Sequence, residues 1–144
     1  MAGPANQTFP LPIPIRVRKS CIQAAAEAYA HKSGLVPGFS IESSVESLGG
    51  RIEYGSRIRS SNESSCVYGY GDFVLYIRTD TSPLHNRFTI SHQLGHYLLH
   101  YPMVVARHGP ETGMIATRFI DETDPDLVRT EWEADWFAAG PIDA

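Results

Sequence analysis

The sequence predicts an α+β fold in which a small antiparallel sheet packs against helices. Three observations indicate this class: an apolar stripe at helical spacing near the N-terminus, a hairpin pattern in residues 65–78, and two later segments that each begin with a capping residue and a proline. The chain has 144 residues, of which 42% are hydrophobic and 19% are charged. This composition is typical of one compact globular domain.

Residues 1–15 are expected to form an extended arm that precedes a single domain at residues 16–144. Proline disfavours regular structure within the arm, and it occurs there as Pro4, Pro10, Pro12 and Pro14. Apolar side chains alternate with these prolines and are expected to hold the arm against the domain: Phe9, Leu11, Ile13 and Ile15.

Two helices and a strand are predicted before the hairpin. The first helix covers residues 16–33, and its apolar stripe consists of Cys21, Ile22, Ala25, Ala28 and Tyr29. A short second helix is predicted at residues 39–48 and ends at Gly49-Gly50. Residues 51–54 alternate in polarity, which predicts a short strand.

The hairpin is predicted from two segments rich in Val, Ile, Phe and Tyr, residues 65–70 and 73–78, on either side of Gly71-Asp72. The next helix begins at Ser82, a favoured capping residue, and Pro83, which fits a first helical turn. Its apolar stripe is Ile90, Leu94, Leu98 and Tyr101, and another side carries His92, Gln93, His96 and His100.

Glycine and proline breaks are expected to interrupt residues 102–123, with one strand at residues 114–120. The last helix is predicted to begin at Asp124-Pro125, again a cap followed by proline, and to end at Gly140-Pro141.

Charge and apolar content argue against several functions. The net charge is −4, with 12 basic against 16 acidic residues, which disfavours direct nucleic-acid binding through phosphate contacts. There is no apolar run of about 20 residues, as a membrane span requires, and the first residues lack the order of a signal peptide. A cytoplasmic location is therefore expected, with Cys21 and Cys66 as buried free thiols rather than a disulfide.

The most informative segment is His92-Gln93-Leu94-Gly95-His96. Two histidines four residues apart on a helix share one face, about 5–6 Å apart at Cβ, which suits a common Zn²⁺ ligand set. In the H-E-x-x-H pattern of zinc proteases, the intervening glutamate takes the proton of the attacking water. Gln93 has nearly the same shape but cannot take a proton at neutral pH. The segment therefore looks like a zinc hydrolase site whose general base has been replaced.

The third metal ligand is expected on the last helix, where Glu131 and Asp135 share a face. Glu131 is predicted to bind the metal, while Asp135 accepts a hydrogen bond from the outer ring nitrogen of a ligand histidine. Glu133 points to another side of the helix and is the weaker ligand candidate. Either pair alone is common on protein surfaces, but both pairs on two capped helices predict a zinc site.

Two segments resemble the ImmA/IrrE family of metallopeptidases. Residues 87–100, RFTISHQLGHYLLH, are similar to the family's R-F-T-x-A-H-E-L-G-H-x-L-L-H, and residues 131–139 are similar to E-x-[EQ]-A-[ND]-x-F-A-A. The likeness extends over roughly residues 16–139. It implies a zincin-like fold, Zn²⁺ as the cofactor with His92, His96 and Glu131 as its ligands, and position 93 as the catalytic general base.

Members of this family typically cleave transcriptional repressors inside bacterial cells. The resemblance therefore implies a zinc-dependent endopeptidase that acts on a protein substrate, here with Gln93 where the family has glutamate. We favour an introduced substitution that keeps the shape and stops turnover, because every other site element is intact. The alternatives are a natural zinc-binding pseudoprotease that acts as a non-catalytic protein-binding or regulatory module, and a structural domain without metal.

Four side chains are candidates, by residue type, for stabilising an oxyanion opposite the metal: Tyr101, His108, Arg118 and His100. His85 is expected to be an ordinary surface residue, and Trp132 is expected to serve in core or rim packing rather than as a platform for substrate. An edge strand of the sheet is expected to bind an extended peptide by strand addition.

Overall fold

The computed structural model describes residues 9–33, 40–55, 62–78 and 82–140. Their elements, in chain order, are α1 (Lys19–Ser33), α2 (Ile41–Ser47), β1 (Gly50–Tyr54), β2 (Glu63–Gly69), β3 (Asp72–Ile77), α3 (Pro83–Gly95), a π-helical segment (His96–His100), α4 (Tyr101–His108), β4 (Met114–Thr117) and α5 (Pro125–Ala138). The predicted α+β class is confirmed. None of the described helices is both long and apolar enough to cross a membrane.

The four strands form one sheet in the order β1-β3-β2-β4. Strands β2 and β3 form the predicted hairpin, and Gly71 in its turn has a positive φ of 78°, which favours glycine. Strand β4 pairs antiparallel with β2, whereas β1 pairs parallel with β3. The sheet is therefore mixed, and the prediction of an antiparallel sheet was wrong for β1. Strand β2 pairs with one edge of β3, and β1 pairs with the other edge. Because β1 and β3 are parallel, no hairpin turn can connect them.

The sheet buries apolar side chains on both faces. One face packs against the helices and contributes to the main core through Val67, Phe73, Leu75, Ile77 and Met114. The opposite face carries a smaller cluster of Cys66, Val74, Tyr76 and Ile115, against which Phe9 and Tyr68 pack. The N-terminal segment therefore covers part of this second face through Phe9.

Residues 9–15 form no helix or strand, and they lie against the rest of the chain. The backbone N–H of Ile115 donates to the carbonyl oxygen of Pro10 at 2.9 Å, which attaches this segment to β4. Its two isoleucines pack on the main core, whereas Leu11 is exposed.

The buried face of α1 differs from the predicted stripe. Ile22, Ala26 and Ala30 are buried, at a spacing of four residues, where α1 packs against α5. Cys21 is exposed, so the prediction of two buried thiols was wrong for this residue, while Cys66 is buried and both are free. The helix is rich in alanine, and several of its faces are therefore almost equally apolar in sequence.

Capping fixes the first turns of α3 and α5 as predicted. The Ser82 side chain accepts the backbone N–H of His85 at 3.1 Å, and a proline follows in the first turn. The Asp124 side chain accepts the backbone N–H groups of Asp126 and Leu127 at 2.9 and 3.4 Å. These local bonds set where both site-bearing helices begin.

The helical path does not break after Tyr101 but continues to His108. The N–H of Tyr101 bonds to the carbonyl oxygen of His96, five residues back, which defines the π-helical segment. Pro102 then lies in the first turn of α4, where a missing backbone N–H costs little. The prediction of an irregular segment from residue 102 was therefore wrong for residues 102–108.

Helices α3 and α5 pack closely at Gly95. A Cβ atom on Gly95 would lie 3.3 Å from the Cβ of Phe137 and 3.4 Å from the Cα of Ala134. Because glycine has no side chain, the two helix backbones approach each other here. This approach brings Glu131 alongside the histidines of the neighbouring helix.

Candidate metal centre

Three side chains from neighbouring helical segments converge at one point. His92 lies near the end of α3, His96 begins the π-helical segment, and Glu131 lies in the middle of α5. One ligand atom from each residue lies within 4.8 Å of the others. The Nε2 atom of His92 is 3.3 Å from Oε1 of Glu131, and the Nε2 atom of His96 is 3.0 Å from Oε2. The structure thus brings together the three residues predicted as metal ligands.

Asp135, one turn after Glu131, contacts the outer side of the His92 ring. Its Oδ1 atom lies 2.7 Å from Nδ1 of His92. An ionised carboxylate can only accept, so Nδ1 carries the proton of this hydrogen bond. The contact is the one predicted for Asp135.

Burial and the carboxylates shift the pKa values of the two histidines in opposite directions. Burial lowers the pKa of His96 to about 4, and the hydrogen bond to Glu131 offsets only part of this effect. Burial also disfavours the charged form of His92, but hydrogen bonds to Asp135 and Glu131 outweigh it and raise its pKa to about 9. Burial acts to raise the pKa of Glu131, yet hydrogen bonds from both histidines hold it well below its usual value.

Gln93 is buried beside these residues and lines a cavity of about 240 Å³ together with His92 and Glu131. Within the described part of the chain, its Oε1 atom is buried without a hydrogen-bond partner. Buried amide oxygens are normally paired, so this atom suits a donor that enters the cavity. Two imidazole nitrogens and one carboxylate beside an open cavity are the donor set of a catalytic zinc site. The residues present therefore fit a zinc ion.

A comparison with family models matches residues 53–140 to Peptidase_M78, the IrrE N-terminal-like domain. The match covers more than half of the chain and includes all the residues of the centre. The chain belongs to this family. M78 is a family of zinc metallopeptidases, and residues 53–140 are thus a metallopeptidase-like domain. No curated protein and no solved structure gives a significant match.

In this M78 domain the cavity lies between α3 and the sheet. The sheet side is formed by Ser64, Tyr76 and Thr117, with Arg78 and Arg118 just beyond β3 and β4. The helix side includes His85, Asn86 and Thr89. His85 was expected to be an ordinary surface residue, but it lines the cavity.

A second cavity, of about 520 Å³, shares Arg118 and Glu131 with the first. Phe119 and Trp132 line it, and they are 75% and 53% exposed. Trp132 is therefore a half-exposed residue at the rim, which is one of the two positions expected for it. Together the two cavities extend the open surface to either side of Glu131.

The four side chains considered for stabilising an oxyanion lie in different parts of this M78 domain. Tyr101 is fully buried, and its hydroxyl donates to the carbonyl oxygen of Thr112 at 2.7 Å. His108 is exposed at the end of α4 and does not line either cavity. His100 is fully buried behind His96. Of the four, the structure brings Arg118 to the cavity that Gln93 lines.

The contact between His100 and Glu133 was not anticipated from the sequence. The Nε2 atom of His100 lies 2.8 Å from Oε1 of Glu133, and both side chains are fully buried. The one available signal was that His100 continues the four-residue spacing of His92 and His96. This spacing indicates a shared helix face but does not name the partner on α5.

Proposed function

We propose that this M78 domain binds one Zn²⁺ through His92, His96 and Glu131 and is built to hydrolyse a peptide bond in a protein substrate. The observation that carries the proposal is the convergence of two imidazole nitrogens and one carboxylate beside an open cavity. We propose further that Gln93 makes the present form catalytically impaired while leaving metal and substrate binding intact.

Zinc held at this centre would supply polarisation of the scissile carbonyl and of the attacking water. The side chain at position 93 must then take the proton that leaves the water. A glutamate would accept this proton and pass it to the leaving amine, whereas Gln93 can accept a hydrogen bond at Oε1 but no proton. Because general-base catalysis is typically worth about 10²–10⁴-fold, a rate deficit of at least that order is expected.

The groove around the centre supports an extended protein segment as the substrate. Strand β4 is an edge of the sheet, and the N–H of Ile115 within it already bonds to Pro10, whereas Thr117 at its end borders the first cavity. Pairing of a substrate backbone is therefore proposed at the Thr117 end of β4. Phe119 and Trp132 offer exposed aromatic surface on the other side of Glu131. The family resemblance favours a transcriptional repressor as this substrate.

A non-catalytic role is the second candidate, and Gln93 is the observation that favours it. If the glutamine is natural, the same groove would hold a regulatory protein without cutting it. Zinc would then stabilise the binding surface, as metals do when they bind only the folded state.

Restoring glutamate at position 93 tests the proposal. Protein purified without chelator should contain about one zinc per chain. The Gln93→Glu form should cleave at least one protein in a panel of candidate repressors, as followed by mass spectrometry, and a chelator should abolish this activity until Zn²⁺ is added. The control is Gln23→Glu, the same chemical change at an exposed position of α1, which should remain as inert as the parent.

Two outcomes would count against the protease proposal. If Gln93→Glu keeps its zinc and its fold but cuts no member of the panel, the binding-module candidate takes its place. If the parent chain binds no zinc under any condition, both candidates fail, because each depends on an occupied metal centre.

A further inference from the structure

Three buried side chains form a line from the metal centre into the core. The Nδ1 atoms of His96 and His100 are 3.0 Å apart, and the Nε2 atom of His100 is 2.8 Å from Oε1 of Glu133. His96 is 1% exposed, and the other two side chains are 0% exposed. Because water does not reach these groups, their protons and lone pairs must be matched within the chain.

Glu133 determines the direction of these hydrogen bonds. Its Oε1 atom accepts the backbone N–H of Ile15 at 3.0 Å, and its Oε2 atom accepts the N–H of Arg16 at 2.8 Å and the Nε–H of Arg129 at 2.9 Å. All three groups can only donate, and a carboxylate surrounded by donors stays ionised. His100 must therefore also donate to Glu133, through Nε2–H.

The proton position on His100 fixes the proton position on His96. The ring of His100 is 0% exposed, where a charged imidazole is disfavoured, and a neutral imidazole carries a single N–H. With Nε2 protonated, Nδ1 of His100 has a lone pair, so Nδ1 of His96 must donate the bond between the rings. When zinc occupies the centre in place of the hydrogen bond between His96 and Glu131, His96 then has its lone pair at Nε2, the atom that faces Glu131.

We propose that His100 and Glu133 are positioning residues that set the tautomer of His96 for metal binding and couple it to the N-terminal segment. The proposal rests on the metal site proposed above. Asp135 acts on His92 directly, whereas Glu133 acts on His96 through an intervening ring. Because the same carboxylate also holds the backbone of Ile15 and Arg16, docking of residues 9–16 and orientation of a metal ligand depend on one group.

Nitrogen NMR of the zinc-loaded chain, labelled with ¹⁵N in its histidines, tests the proton assignment without any measurement of activity. His100 should be a neutral ring that is protonated at Nε2 and not at Nδ1. A His100 ring protonated at Nδ1 would overturn the proposal. This measurement needs no substitution, so it does not depend on whether a variant folds.

Two variants at position 100 separate hydrogen bonding from packing. In His100→Gln, the amide oxygen can accept from His96 and the amide N–H can donate to Glu133, whereas His100→Leu can do neither. Zinc affinity should be close to the parental value in the Gln form and about 10–100-fold weaker in the Leu form. Parental affinity in the Leu form, or an equal loss in both forms, would overturn the proposal.

Hydrogen exchange at the backbone amides of Ile15 and Arg16 measures whether the metal centre is coupled to the N-terminal segment. Zinc should slow their hydrogen exchange in the parent chain and leave it unchanged in His100→Leu. The amide of Leu75, in the central strand β3, is the control, since equal slowing there would indicate global stabilisation and contradict a local coupling. A zinc titration of the parent chain is done first. If the parent does not bind zinc, the proposed function is refuted. If it binds zinc but the expected changes in affinity and hydrogen exchange are absent, only this inference is refuted.

Discussion

Asp135 holds the ring of His92 from the side opposite the candidate metal position, with 2.7 Å between Oδ1 and Nδ1. The histidine side chain is 12% exposed and the aspartate side chain 53% exposed. The carboxylate can therefore orient the ring while contributing little to the core. Loss of this carboxylate should weaken zinc binding more than it destabilises the fold.

Asp135→Ala should keep the fold and weaken zinc affinity by about 10–100-fold, the usual range when the hydrogen-bond partner of a ligand histidine is removed. Competition with a zinc chelator measures this change. Asp72→Ala is the matched control, because it removes an exposed carboxylate that pairs with Arg51 on the surface. Complete loss of zinc, equal to that in His96→Ala, would instead indicate that Asp135 binds the metal directly.

Glu131→Ala should abolish stoichiometric zinc binding, because it removes the one carboxylate that both Nε2 atoms face. Elemental analysis of purified protein measures the zinc content, and circular dichroism checks the fold. Glu27→Ala, an exposed position on α1, should retain about one zinc per chain. Full retention of zinc in Glu131→Ala would remove this residue from the ligand set.

Arg118 should contribute to turnover once glutamate stands at position 93. Arg118 lines the cavity that Gln93 and Glu131 also line, and an oxyanion would develop there. In the Gln93→Glu background, Arg118→Ala should lower kcat about 10²–10³-fold, the usual cost of losing one oxyanion donor, with zinc content unchanged. Arg51→Ala, on the exposed side of β1, is the control. Unchanged kcat in Arg118→Ala would exclude this role.

Gly113→Ala should destabilise the chain by about 1–3 kcal/mol, the usual cost of overpacking. A Cβ atom there would lie 2.4 Å from the ring of Phe9 and 2.5 Å from the carbonyl oxygen of Val67, so the N-terminal segment or β2 must move. Gly69→Ala is the matched control, since nothing lies within 4 Å of its Cβ position. In urea unfolding, Gly113→Ala should have a lower midpoint than Gly69→Ala. Equal midpoints would contradict the close packing at Gly113.

Features governed by local chemistry were predictable from the sequence. A cap followed by proline located the starts of α3 and α5, because both effects act within one turn. The spacing of His92 and His96 predicted a shared face for the same reason. The pair formed by Glu131 and Asp135 could likewise be placed on one side of α5.

Features that depend on distant partners were not predictable in this way. An alternating segment of four residues does not encode the direction of its pairing, so the parallel pairing of β1 with β3 could not be foreseen. The π-helical segment depends on a backbone bond to His96 that residue type does not specify. The partner of His100 depends on the rotation of α5 against α3, which the close packing at Gly95 fixes only in the folded chain.

Both tryptophans of the chain, Trp132 and Trp136, lie on α5, with ring centroids 6.4 Å apart. Trp132 is the next residue after Glu131, and Trp136 has the guanidinium carbon of Arg129 5.0 Å from its ring. Indole emission responds to nearby charge and to solvent. All the indole fluorescence of this molecule thus originates on the helix that carries the carboxylates of the centre. We therefore expect metal binding at that centre to change the tryptophan emission of the unlabelled chain.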